Sequence, residues 1–165
     1  MNLNPLILFR ALFGVKKCST LAQLRAYIKP GDLAGLWNWI DWWIPYRDDK
    51  GAADEFRPVE EVIHRAAHGR GDDCDGIHLV PYAVIKDWPG WGVWLVVVSK
   101  PKPPQHLICI FERPDGVKGF INYGVYPCPG AKSWSEVLET VPGDWTEAVW
   151  VDEKGEELPK AGWKK

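Results

Sequence analysis

The 165-residue chain lacks an excess of basic residues, a long apolar run and a basic leader. Its 20 basic residues face 22 acidic ones, and the net charge of −2 argues against a nucleic-acid partner held through phosphates. No stretch approaches the roughly 20 apolar residues of a membrane span. The start, MNLNPLILFRALFGVKK, lacks the basic region and the cleavage site of a secretory signal. We therefore expect a soluble protein made in the cytoplasm, with neither nucleic-acid nor membrane partners.

Paired cysteines are also missing. The four cysteines are unevenly spaced, and no two of them form a CxxC motif. A chain of this length buries a core without disulfides, so free thiols in a reducing compartment are the simpler interpretation. Tryptophan is the one excess, with 11 residues, and four of them fall in WNWIDWW at 37–43. This cluster predicts a large aromatic core, with an aromatic binding groove as the alternative.

Helix signals fill the first half of the chain and strand signals fill much of the second. Capping residues and apolar spacing predict helices over 19–29, 32–44, 57–68 and about 74–86, with Pro81 inside the last. The second half predicts a strand over 92–100, a hairpin over 106–124, a short helix over 133–141 and a final hairpin turning at 153–155. Helices followed by an antiparallel sheet define an α+β fold class.

The first predicted hairpin brings a histidine toward an asparagine. His106 opens one strand, and Asn122 lies near the end of its partner. A turn centred on residues 114–115 would pair position 106 with 122 or 123, and opposed residues lie about 5 Å apart. We therefore expect the Asn122 side chain to bond the imidazole, which is how a general base is oriented in a catalytic triad.

The motif GDDCDG places Cys74 among three acids, Asp72, Asp73 and Asp75. We expect a helix to begin here, and the partial positive charge of a helix start favours a thiolate. Its free N–H groups can also bind an oxyanion. The acids oppose the thiolate unless they cap the helix or bind a cation.

Four segments, taken in order, resemble the transglutaminase-like superfamily. They are LWNWIDWWIPYRDD, DEFRPVEEVIHRAAHGRGDDCDG, HLICIFERPDG and GFINYG, and they cover about residues 33–124. The bacterial and phage cysteine-peptidase branch, which has a papain-like core, is the most similar. The resemblance implies Cys74 as nucleophile, His106 as general base and acid, and Asn122 as the orienting residue. It implies one domain over 1–165, with an N-terminal helical extension over 1–31 and a C-terminal helix and hairpin over 131–165.

The function implied is that of a cysteine peptidase or amidase that forms a thioester with a peptide or protein substrate. No cofactor is required, although calcium bound by Asp72, Asp73 and Asp75 is compatible with the family. A compact chain without a leader suits a phage enzyme, which would act in the virion or the host cell. The candidates for a second oxyanion donor are Asn38, Tyr46 and His68.

Four features depart from the family pattern: an extra aspartate precedes the cysteine, Pro81 lies in the helix after it, and two positions carry a different residue. Asn122 replaces the usual acid, and Gly76 replaces a second acid after the cysteine. These departures keep alternatives open: an inactive binding or structural protein with the same fold, or a transamidase in which an amine resolves the thioester. A zinc protein is a further alternative, because histidines and a cysteine recur at helical spacing. Its ligands would be His64, His68, Cys74 and His78.

Overall fold

The computed structural model describes residues 14–47, 56–102 and 105–164. Within these ranges the helices are α1 (Leu21–Tyr27), α2 (Leu33–Trp43), α3 (Val59–Ala67), α4 (Cys74–Ile85) and α5 (Trp134–Glu139). The strands are β1 (Gly92–Ser99), β2 (His106–Glu112), β3 (Lys118–Ile121), β4 (Val125–Cys128), β5 (Glu147–Val151) and β6 (Glu157–Lys164). The first 13 residues of the predicted N-terminal extension and most of the predicted loop over 46–54 lie outside the described residues.

Side-chain caps explain where three of the helices begin. The Thr20 hydroxyl accepts from the Gln23 N–H at 3.2 Å, and Asp32 and Ser133 accept in the same way before α2 and α5. Each cap satisfies one of the N–H groups that a helix start leaves without an intrahelical acceptor. These three helices therefore begin at capping residues, as the sequence predicts.

The strands form one antiparallel sheet in the order β4-β3-β2-β1-β5-β6. Strand β4 was not predicted, because Pro127 within its sequence VYPC is typical of a loop; here β4 is an edge strand, where proline is tolerated. The predicted hairpin forms with a different register, since Glu112 pairs with Lys118. Its turn is therefore centred on Asp115, and His106 does not lie directly opposite Asn122.

Both faces of the sheet are covered, which confirms the α+β class and adds a layer to it. Helices α1 to α4 pack on the face that presents Leu95, Leu107 and Cys109. Helix α5 packs on the opposite face, against side chains that include Ile108 and Ile110. Strand β2 is consequently apolar on both sides, which is the pattern of a strand buried between two layers.

The tryptophan cluster belongs to the helical layer. Trp39 and Trp43 of α2 are buried in the core, and Trp37 and Trp42 pack against it from partly exposed positions. The predicted aromatic core is therefore confirmed. Among the described helices, none has the length and apolar character needed to cross a membrane.

Candidate active site

The first turn of α4 places Cys74 at the first helical position. Asp73 is the N-cap residue, and its Oδ1 accepts a 3.2 Å hydrogen bond from the Asp75 N–H. The predicted helix start at the cysteine is therefore confirmed, and Asp73 is the acid that caps it.

Asp72 does not cap the helix; its side chain belongs to a buried ion-pair cluster. Its side chain is 2% exposed, and its carboxylate lies 3.0 Å from Arg57 Nη1 and 3.6 Å from Arg65 Nε. Its backbone bonds the segment after α2, donating to Pro45 and accepting from Arg47. Burial raises the pKa of the Asp72 carboxyl, and the guanidinium groups lower it in part. Asp72 therefore ties the start of α4 to α3 and to the end of α2.

The Asp72 side chain also explains why glycine follows the motif. A Cβ atom at Gly76 would lie 2.5 Å from the Asp72 carboxyl carbon. No Cβ tolerates that approach, so a larger residue would force the buried carboxylate out of its ion-pair cluster. The absence of a second acid at this position is thus a packing consequence of the extra aspartate before the cysteine.

The predicted histidine–asparagine hydrogen bond is present in the sheet. His106 Nε2 lies 2.8 Å from Asn122 Oδ1. An amide oxygen only accepts, so Nε2 carries the proton and the neutral ring keeps its lone pair on Nδ1. Burial lowers the pKa of His106, and the bond to Asn122 opposes that shift.

A strained turn after β3 explains how Asn122 reaches the ring from outside the ladder. The last β2–β3 pair is Cys109 with Ile121, and the Asn122 N–H then donates to the Gly124 carbonyl at 2.9 Å. Between them, Tyr123 has a φ of 49°, a conformation that residues other than glycine adopt rarely. This turn joins β3 to β4, and the Asn122 side chain within it makes the contact with His106 that direct strand pairing was expected to give.

Aromatic rings surround the imidazole. The ring centroid of Tyr123 lies 5.4 Å from that of His106 and the centroid of Trp145 lies 6.0 Å away, both in stacked orientation. Tyr46 packs edge-on against Tyr123 at 5.7 Å. Aromatic faces stabilise a cation held close to them, so these rings favour a protonated His106.

The Cys74 sulfur lies beside the backbone of β2. The Leu107 N–H, one residue after His106, lowers the pKa of the Cys74 thiol, and the thiol donates to Asp75 Oδ1 at 3.5 Å. Across the described ranges, no hydrogen bond joins the Cys74 sulfur to the His106 ring. Cys74 and His106 thus both lie by the start of β2, with no hydrogen bond between their side chains among the described residues.

The thiol is held in its neutral form. Burial raises the pKa of Cys74 to about 12; Asp75 and Asp73 add to the rise, and the Leu107 N–H opposes it. The concern that the acids oppose a thiolate is therefore borne out for Asp73 and Asp75, even though Asp73 caps the helix. Deprotonation at neutral pH requires a base that takes the proton as the sulfur reacts.

His78 is the residue of this region whose place was not anticipated. It lies one turn after Cys74, is fully buried, and has its Nδ1 2.7 Å from the Cys74 carbonyl oxygen. Its ring contacts the ring of His106 edge-on, with centroids 5.4 Å apart. Burial lowers the pKa of His78 to about 3. The only sequence signal was its four-residue spacing from Cys74, which also fits a surface pair or a metal site.

Of the three candidates for a second oxyanion donor, Tyr46 lies nearest to the site by its contacts. Its ring packs on Tyr123, which in turn stacks on His106. His68 instead pairs with His64 on α3 through a 2.7 Å contact between its Nδ1 and the His64 carbonyl. In the described part of the chain, Asn38 makes no hydrogen bond to the site.

The calcium prediction gains no support from the contacts of the three acids. Asp72 binds two arginines, Asp73 caps α4, and Asp75 faces the thiol. Within residues 14–47, 56–102 and 105–164, no group of three or more potential ligand side chains is placed to hold a metal ion.

The zinc set is likewise not assembled in the described residues. His64 and His68 contact each other with ring centroids 4.4 Å apart. His78 is instead buried against His106, and its Nδ1 bonds the Cys74 backbone.

Comparisons with known proteins add no relative. No protein-family model matches the chain, and no curated protein is significantly similar to it.

Proposed function

We propose that the protein is a cysteine-dependent hydrolase that cleaves amide bonds of a peptide or protein, with a papain-like, transglutaminase-like core. The observation that supports this most directly is the 2.8 Å hydrogen bond between His106 and Asn122, beside a helix that begins at Cys74. Such a bond fixes the imidazole with its basic nitrogen free, as a base that activates a neighbouring nucleophile requires.

In the proposed reaction, the Cys74 S–H bond breaks as its proton moves to His106 Nδ1. The sulfur electron pair attacks the amide carbonyl carbon and forms a tetrahedral adduct. The adduct collapses to a thioester when the imidazolium returns the proton to the leaving amine. Water then adds to the thioester with His106 again acting as base, and the acid product and the free thiol are released.

The negative oxygen of the adduct needs donors near the start of α4. The Cys74 N–H stands at the first helical position, where N–H groups have no intrahelical acceptor, and it is the first proposed donor. Tyr46 is the proposed second donor because its ring contacts Tyr123 at the edge of the site.

p-Nitrophenyl acetate is a suitable first probe, because this activated ester acylates a nucleophilic thiol whatever the natural substrate is. We expect wild-type protein to release p-nitrophenolate and to carry one acetyl group, located on Cys74 by mass spectrometry. The Cys74→Ser variant should lose this modification. The His106→Ala variant should acylate about 10²- to 10⁴-fold more slowly, the usual contribution of a general base.

His64→Ala is the matched control, since His64 is an exposed histidine on α3 outside the site. It should acylate at the wild-type rate. Equal acetylation of Cys74 and Cys128, or a His106→Ala variant as fast as wild type, would sink the proposal.

A second candidate function is a binding or structural protein that keeps the fold without the chemistry. The neutral, partly buried Cys74 thiol and its lack of a hydrogen bond to His106 within the described ranges favour it. The same acylation assay separates the two candidates. Adding an amine to the acylated protein then tests transamidation, because a transamidase would pass the acetyl group to the amine faster than to water.

A further inference from the structure

A buried histidine contributes an unused nitrogen to the region between the thiol and the base. His78 has no exposed surface, and its ring contacts His106 and Tyr123 at centroid distances of 5.4 and 5.5 Å. Its Nδ1 bonds the Cys74 carbonyl. His78 thus touches both halves of the proposed site without being the nucleophile, the base or the orienting residue.

The hydrogen bond fixes the tautomer of His78. A carbonyl oxygen only accepts, so Nδ1 carries the proton and Nε2 keeps a lone pair. Nε2 is buried and has no hydrogen-bond partner among the described residues. A buried acceptor without a donor destabilises the folded state, so its presence points to a donor that forms during the reaction.

Only one ring in contact with His78 gains a proton in the proposed reaction. When His106 takes the Cys74 proton on Nδ1, the ring becomes a cation with an N–H donor at both nitrogens. One of these donors is already bonded to Asn122. The lone pair of the adjacent neutral ring can stabilise the new positive charge at short range, in a region that excludes water.

We propose that His78 is a positioning residue of this site: its Nδ1–H holds the Cys74 carbonyl, and its unprotonated Nε2 supports the His106 imidazolium. The inference rests on the proposed function. The proton still travels from sulfur to His106, and His78 neither gains nor loses one. Tyr123 and Cys74 are the other titratable groups in contact with His78, and every variant below retains both.

Three substitutions separate the two nitrogens of His78. His78→Asn places an amide N–H near the position of Nδ1 and removes the acceptor. His78→Gln reaches the position of Nε2 with an amide oxygen. His78→Leu removes both groups and keeps the bulk. His64→Asn is the matched control on α3.

Two measurements are made on each protein: the rate of Cys74 acylation by p-nitrophenyl acetate, and the titration midpoint of His106 from ¹⁵N-detected imidazole signals. We expect His78→Leu and His78→Asn to lower the midpoint by about half a pH unit and to slow acylation about tenfold, since both lose the acceptor. His78→Gln should keep most of both values, and the control should match wild type.

The proposal is overturned if His78→Asn retains the wild-type midpoint and rate, because the role would then be confined to the helix start. It is also overturned if His78→Gln is no better than His78→Leu. The midpoint does not depend on activity. A wild-type protein that fails to acylate, with a midpoint that still follows the variants as expected, would sink the proposed function and uphold the support of the imidazolium by His78.

Discussion

Both halves of the candidate site favour the neutral form of their reactive group, but the neighbouring groups act differently on each. On the helical half, burial, Asp73 and Asp75 keep the Cys74 thiol neutral. On the sheet half, burial lowers the pKa of His106, and the Asn122 oxygen opposes that shift. The difference teaches that this site does not hold a resting thiolate–imidazolium pair. The charge separation has to form in the reaction step itself, when a bound carbonyl accepts the sulfur electrons.

The largest effect is expected from breaking the anchor of the helical half. Asp72→Ala removes the buried carboxylate that Arg57 and Arg65 share, while the backbone hydrogen bond to Pro45 stays. We expect the free energy of unfolding to fall by about 3 kcal/mol, as for other broken buried ion pairs. Urea unfolding measures it, with Asp115→Ala, in an exposed pair with Arg113, as a control that changes it by less than about 1 kcal/mol. A loss no larger than the control would refute the anchoring role.

Substitutions in the sheet half of the site should lower the acylation rate more than they lower the stability of the fold. Asn122→Ala removes the acceptor that fixes the His106 tautomer, and we expect Cys74 acylation to slow about a hundredfold, because a base with the wrong nitrogen protonated does not act. Asn122→Asp adds a negative charge and raises the pKa of His106. The acylation–pH profile should therefore shift toward alkaline pH, since the base stays protonated longer as pH rises. An unshifted profile in Asn122→Asp would contradict the orienting role.

The burial of His78 also makes the stability of the folded protein depend on pH. Burial lowers the pKa of His78 to about 3, while the unfolded chain has the ordinary value of 6.5. Between these values the unfolded state binds more protons, so stability falls as pH falls from about 6.5 toward 3. The His78 contribution to this slope is at most about 1.4 kcal/mol per pH unit. The urea midpoint of wild type should therefore fall more steeply than that of His78→Asn as the pH is lowered across this range, so the difference between the two proteins should shrink in acid. Parallel curves would exclude the effect.

The smallest effect is expected from relieving the charge beside the sulfur. Asp75→Asn removes a carboxylate that raises the pKa of Cys74, so iodoacetamide should label this cysteine a few times faster at pH 8. Asp115→Asn, at an exposed position of the turn between β2 and β3, serves as the control. Labelling at an unchanged rate would mean that burial alone sets the thiol pKa.

Local chemistry made much of the fold predictable. The caps at Thr20, Asp32 and Ser133 are signals that act within four residues, and each helix begins where its cap predicts. The approach of His106 to Asn122 was predictable in outline, because a hairpin brings its strand ends together. The way in which Asn122 reaches His106 was not predictable. The strand register differs by one residue from the predicted one, and Tyr123 adopts a left-handed conformation that tyrosine rarely adopts, so no residue type signals the turn.

The rest of the site depends on contacts between distant segments. Two acids beside a cysteine look alike in the sequence, yet Asp72 binds one arginine in α3 and one just before it, while Asp73 caps α4. Only the packing of α3 on α4 separates these roles. The contacts of His78 and Trp145 with His106 were not predicted for the same reason. In the sequence alone, a histidine on an apolar helix and a tryptophan after a loop look like ordinary core residues.

The order of strands has a consequence for how the chain is made. Strand β1 pairs with β2, which follows it closely, and also with β5, which begins only at Glu147. During synthesis, the apolar sequence GVWLVVVS therefore keeps one backbone edge unpaired until β5 has left the ribosome. For that interval the nascent protein exposes a strand edge on which another copy can add. At high expression levels, the pairing of β5 with β1 therefore competes with aggregation through the same strand edge.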